Sequence, residues 1–164
     1  MGTGIAVTRL GAAALLVVSV AAVAPAGEPT SPRTPSEGDR CAVCGMFVAP
    51  HTEWLAQVVF DDGSAAFFDG AKDLFRYLFA RDRYLPQRRG REIVAMWVTS
   101  YYDLEPVDAR TARFVAGSDV LGPMGAELVP FATREDAEVV RMDHAGSRIV
   151  RFGEVTRELL TPLV

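Results

Sequence analysis

Two stretches of helical apolar spacing, each set among strand-length apolar runs, restrict this chain more than any other feature. In residues 70–80 (GAKDLFRYLFA), Leu74, Phe75, Leu78 and Phe79 recur at i, i+1, i+4 and i+5 and form one helical face. Before them, 54–60 (WLAQVVF) reads as a strand, Asp61-Asp62-Gly63-Ser64 as a hairpin turn whose Asp-Gly tolerates positive φ, and 65–68 as the return strand. Asp69 is placed to cap the helix, and 93–100 (IVAMWVTS) supplies the next strand. The order then repeats. Strand 112–116 pairs with 127–132, where Pro130 predicts an edge position. Thr133 caps a helix running to about His144, with Ala137, Val140 and Met142 inward; Ala145-Gly146 ends it, and 149–152 closes the unit. The two halves predict an α+β fold of two small lobes, about 41–103 and 104–155, each a strand-strand-helix-strand unit from an internal duplication. Residues 156–164 form a C-terminal tail with a short helical stretch.

The N-terminus has the layout of a secretory signal. Arg9 precedes an apolar run, Leu10 to Ala24, and small residues follow at Ala24-Pro25-Ala26. The run is about 15 residues long, short of the ~20 that span a bilayer as a helix. Residues 1–26 are therefore read as a signal peptide cleaved after Ala26, or as an uncleaved membrane anchor. Cys41 lies too far downstream to be a lipid-attachment cysteine. Residues 27–40 (GEPTSPRTPSEGDR) hold three prolines and almost nothing apolar, the composition of a flexible linker. The net charge is −4 and no basic stripe appears, which excludes a nucleic-acid-binding surface. The arginines of 81–91 (RDRYLPQRRGR) read as a solvated loop.

The only two cysteines form one C-x-x-C, Cys41-Ala42-Val43-Cys44, followed by Gly45-Met46. Three readings compete. In an oxidising compartment the pair can close into a disulfide, as a structural clip or as a thiol–disulfide oxidoreductase. No strand precedes it, however, and a bridge over two residues closes almost no loop. Structural zinc wants four Cys or His ligands, and only His51 and His144 remain, far apart in sequence. Cu(I) is satisfied by two or three soft donors, so two thiolates and a thioether suffice. Cys44 and Met46 are two residues apart, with Gly45 free to turn both toward one ion. A second methionine, Met124, sits in a Gly122-Pro123-Met124-Gly125 turn, an unusual place for a packing methionine. Met96 and Met142 lie in periodic apolar segments and read as core. His51, in a loop near the cysteines, is either a further ligand or a solvent-exposed histidine. No Walker loop, dinucleotide fingerprint or G-x-S-x-G appears, so nothing marks an enzyme.

Several short segments recur in a specific order: CAVCGMFV at 41–48, AQV at 56–58, FFDG at 67–70, VTSY at 98–101, VDARTARFV at 107–115, GPMG at 122–125 and PFA at 130–132. In combination they resemble the NosL family of copper-binding accessory proteins for nitrous oxide reductase. The resemblance implies a two-lobe α+β fold and a periplasmic Cu(I) metallochaperone rather than an enzyme. It implies a copper client resembling nitrous oxide reductase, loaded with help from an ABC-type transporter complex. The family's Cys-Gly-Met and Pro-Met-Gly motifs fall here on Cys44, Met46 and Met124, which with Cys41 make the expected metal ligands. Family members are commonly lipoproteins with a cysteine directly after the signal core, and this chain carries none there. The resemblance therefore leaves membrane attachment to the N-terminal segment.

Overall fold

The computed structural model describes residues 1–2 and 30–163. The signal reading and the first residues of the linker lie outside the described residues. Among the described residues no helix is long and apolar enough to cross a membrane.

Strand β1 (Ala56–Phe60) turns through Gly63, whose φ of +78° requires the left-handed region, into antiparallel β2 (Ala65–Phe68). Helix α1 (Ala71–Phe79) follows, then a short α2 (Arg81–Tyr84) and β3 (Ile93–Thr99), which pairs with the other side of β1. β4 (Pro106–Asp108) adds to β3, giving a four-stranded sheet in the order β2-β1-β3-β4. The second sheet takes β5 (Arg113–Ala116) at its centre. After a small hairpin of β6 (Leu121–Gly122) and β7 (Gly125–Ala126) come β8 (Val129–Phe131), α3 (Arg134–Asp143) and β9 (Arg148–Arg151), in the order β8-β5-β9. Each unit thus places its first strand centrally, its second on one side and its post-helix strand on the other. The repeat is one of topology. Pro130 lies on edge strand β8, where its missing N–H costs no ladder bond.

The two units share a core. β5 is buried on both faces, with Phe114 and Ala116 facing the first unit while Val115 joins Val129, Phe131, Ala137 and Val140 beneath α3. Helix α1 lies between the sheets. Tyr77 stacks on Phe68 with ring centroids 5.2 Å apart, and Phe75 meets Phe114 edge-on at 5.2 Å. A helix packed from two sides buries more than one stripe, and Lys72 and Asp73 are buried along with Leu74 and Phe75.

Several expectations need correction. Residues 30–40 are not a loose tether. Gln57, buried on β1, must satisfy its amide; it accepts from the Arg33 backbone at 2.7 Å and donates back to it at 3.0 Å, while Trp97 donates to the Thr30 carbonyl. The first strand starts at Ala56, because Ala49–Trp54 forms a 3-10 turn that stacks Trp54 on Tyr101. The lobe boundary near residue 104 fails because β4 belongs to the first sheet. The tail is structural: Leu159, Leu160 and Leu163 are buried, and α4 (Arg157–Leu160) packs back on α1. Met142 is 64% exposed, since it sits about 200° round the helix from inward Val140. Thr133 does cap α3, accepting from Asp136 N at 3.1 Å, and Met96 is core.

Candidate metal centre

The segment opening at Cys41 is a tight loop tied to β2. Cys41 N donates to the Met46 carbonyl at 2.8 Å, Gly45 N to the Cys41 carbonyl at 2.9 Å, and Ala42 N to the Phe67 carbonyl at 2.9 Å. Gly45 closes it at φ +82°, a conformation that costs glycine nothing. Arg40 holds the outside, donating to the Gly45 carbonyl and stacking over Phe47. The loop turns the Cys41 side chain inward, where it is 2% exposed, and leaves Cys44 at the surface.

Two carboxylates meet these sulfurs. Asp69 follows β2, just before the Gly70 N-cap, and Asp73 lies in the first turn of α1; both turn toward Cys41. The Cys41 thiol donates to Asp69 Oδ1 at 3.2 Å and reaches Asp73 Oδ2 at 3.4 Å, while Cys44 N donates to Cys41 Sγ at 3.5 Å. One ligand atom from each of Cys41, Cys44, Asp69 and Asp73 lies within 4.8 Å of all the others. Both carboxylates are buried, and Asp69 Oδ2 has no hydrogen-bond partner among the described residues. Burial pushes the Cys41 thiol far above the usual range, and the neighbouring Asp69 adds to the rise. Burial also raises Cys44, against the lowering pull of the Met46 backbone. Asp69 is raised first by burial and then by Asp73. Arg76 donates to Asp73 Oδ1 at 3.0 Å. The pocket is therefore rich in donors and short of positive charge, and a cation entering it would displace protons. Both thiols are free, and neither is activated as a redox C-x-x-C requires, with a thiol pKa lowered at a helix N-terminus.

The structure brings Cys41 and Cys44 together. It places Met46 at the end of the same loop, partly buried against the first-unit core. Met124 lies at the two-residue tip between β6 and β7 and is 52% exposed. That hairpin is fastened beside the pocket by its backbone: Lys72 Nζ, one residue before Asp73, donates to the carbonyls of Met124 and Ala126 at 3.2 and 2.8 Å. His51 sits in the 3-10 turn, 3.8 Å from Glu53, and His144 is 2.8 Å from Asp119; neither joins the cluster.

Sequence reasoning missed the carboxylates. Asp69 was expected as a helix cap, but the N-cap is Gly70 and has no side-chain bond. The role falls to Glu127, which reaches across from the second unit to accept from Lys72 N at 2.5 Å and Leu128 N at 2.9 Å. The available signal was two aspartates four residues apart, Asp69 and Asp73, flanking the start of a helix that follows an apolar strand.

Fold and pocket define a small α+β protein with a donor set of thiols and carboxylates suited to a metal ion. The profile of the NosL family matches residues 32–160, and the chain belongs to that family. It is 32% identical over 129 residues to the copper-binding lipoprotein NosL of Stutzerimonas stutzeri, a match covering 76% of this chain and 65% of that relative's length. The crystal structure of the copper chaperone NosL from Shewanella denitrificans superposes with a TM-score of 0.65 at 25% identity, over 79% of this chain and 98% of the other.

Proposed function

We propose that this chain is a periplasmic, non-catalytic Cu(I) chaperone. The observation that carries the proposal is the convergence of Cys41, Cys44, Asp69 and Asp73 within 4.8 Å, in a family whose relatives are named for copper binding and copper chaperoning. Thiolates and thioethers select a soft monovalent ion, so Cys41, Cys44, Met46 and Met124 supply the sulfur. Asp69 and Asp73 hold the Cys41 side chain in place and give the pocket a negative potential that draws a cation. The exposed donors, Cys44 and Met124, suit handover, because a client adds its own ligands before the first ones leave. The client is a copper enzyme of the nitrous oxide reductase kind, served together with an ABC-type transporter, and the N-terminal segment directs export.

Anaerobic titration of the reduced chain with Cu(I) against a competing chelator tests the site. One tight ion per chain is expected, and Cys44→Ser combined with Met124→Leu weakens it at least ~100-fold, since two of the soft donors are lost. Unchanged affinity in that double variant would place the copper elsewhere.

A further inference from the structure

The arginine-rich segment 81–91 is not uniformly solvated. Arg88 pairs with Asp62 at 3.0 Å, Arg89 with Asp82 at 3.0 Å, and Arg91 with Asp61 and Asp62 at 3.7 and 3.4 Å. Arg83 has no carboxylate partner among the described residues. It turns instead over the Tyr84 ring into a cleft of about 220 Å³ between the end of α1, α2 and α4. Arg157 lines the same cleft from α4. It donates to the Phe79 carbonyl, lies 5.1 Å over the Phe79 ring, and likewise has no carboxylate partner. Arg76 is the third guanidinium on the wall. Phe79, Tyr84 and Leu160 provide apolar surface, and among the described residues no Asp or Glu lines the cleft. Two guanidinium groups without a carboxylate partner, joined by a third whose only carboxylate partner, Asp73, lies outside the cleft, make this concavity locally positive in a chain of net charge −4.

We infer that this cleft binds a carboxylate, either a free small dicarboxylate or an acidic side chain of a docking protein segment, and that occupancy is coupled to the metal pocket through Arg76. Guanidinium forks match carboxylate geometry, and rings beneath them favour a flat anion over a hydrated spherical one. Arg76 belongs to both sites. It spends one N–H on Asp73 Oδ1 at 3.0 Å, has four more to offer, and is only 26% exposed. A cation in the pocket repels Arg76 toward the cleft. A carboxylate in the cleft draws it from Asp73 and leaves that donor more negative. The two ligands therefore favour each other, and by linkage the effect is reciprocal. The coupling rests on the metal-site reading; carboxylate binding does not.

The test uses the metal-free full chain, with succinate and an N-acetylated, C-amidated Glu-Glu dipeptide as probes in calorimetric titrations. Saturable binding at about 1 mM or tighter is expected. Arg83→Gln, whose side chain makes no structural hydrogen bond among the described residues, weakens it about tenfold, and Arg83→Gln with Arg157→Gln abolishes it. Tighter binding of the dipeptide than of succinate assigns the cleft to a protein segment; equal or weaker binding assigns it to a small acid. Failure of both probes to saturate at about 10 mM, or equal affinity in a folded Arg83→Gln variant, overturns the site. For the coupling, the saturating probe tightens Cu(I) several-fold in chelator competition, and Arg76→Gln erases the change. Carboxylate binding with no effect on Cu(I) overturns the coupling alone. A chain that binds the probe but no Cu(I) sinks the chaperone reading and leaves the cleft standing.

Discussion

Replacing Gly70 with alanine tests how the metal pocket is held against the second unit. Gly70 has extended backbone, φ 178° and ψ 172°, so alanine meets no dihedral strain. Its obstacle is steric. A Cβ there would lie 2.2 Å from Glu127 Oε2 and 2.7 Å from its Cδ. Glu127 is 1% exposed and has little room to retreat, and its other oxygen holds the Lys72 and Leu128 amides. Accommodating the methyl moves the carboxyl by about 1 Å, the gap to an ordinary carbon–oxygen contact, and breaks or lengthens both bonds. At roughly 1.5 kcal/mol for each buried amide left without its acceptor, Gly70→Ala should cost about 3 kcal/mol. Urea unfolding of the metal-free chain measures it, in the native background and in Glu127→Ala, where the space is open. The cost should fall below about 1 kcal/mol in the second background, giving a coupling energy of about 2 kcal/mol. Equal costs in both backgrounds would mean that Glu127 is not what the methyl meets, and the clamp between the units would have to be abandoned.

Two further outcomes follow from the same buried groups. Burial pushes Glu127 up to about 8 against the pull of Lys72, so the folded chain holds this proton more tightly than the unfolded one. Its contribution to stability is complete below about pH 4.5 and is lost as pH rises through about 8, so unfolding midpoints should fall over that window and fall less steeply in Glu127→Gln. Asp62 and Glu138, held low by hydrogen bonds from Ser64 and Arg141, act only below it, whereas raised Asp69 leaves a residual slope in the variant. Asp69→Asn should move stability and affinity in opposite directions. It removes a like charge beside Asp73, raising metal-free stability by about 1 kcal/mol in urea unfolding, and weakens Cu(I) about tenfold in chelator competition. A variant that loses stability without metal would show that Asp69 serves the fold rather than the ion.

By itself, the sequence determined the elements whose causes are local. Asp-Gly at 62–63 turns the first hairpin, Thr133 caps α3, and Pro130 marks an edge, because each acts within a few residues of its own position. The Cys41–Met46 loop was legible for the same reason, its two thiols lying three residues apart with Gly45 able to take positive φ. Tertiary structure alone decided what packs on what. Helix α1 is buried from two sides, so Asp73, to which the sequence assigns no role, becomes an interior donor facing Cys41. Gly70 leaves the N-cap without a side chain, so Asp69 is released to the pocket and a glutamate more than fifty residues away supplies the missing acceptor. Periodicity records which residues turn away from water, but not which partner waits on the inside. The chemistry of this pocket depends on that partner, because thiols and carboxylates become a metal site only when the fold holds them within one ion's reach.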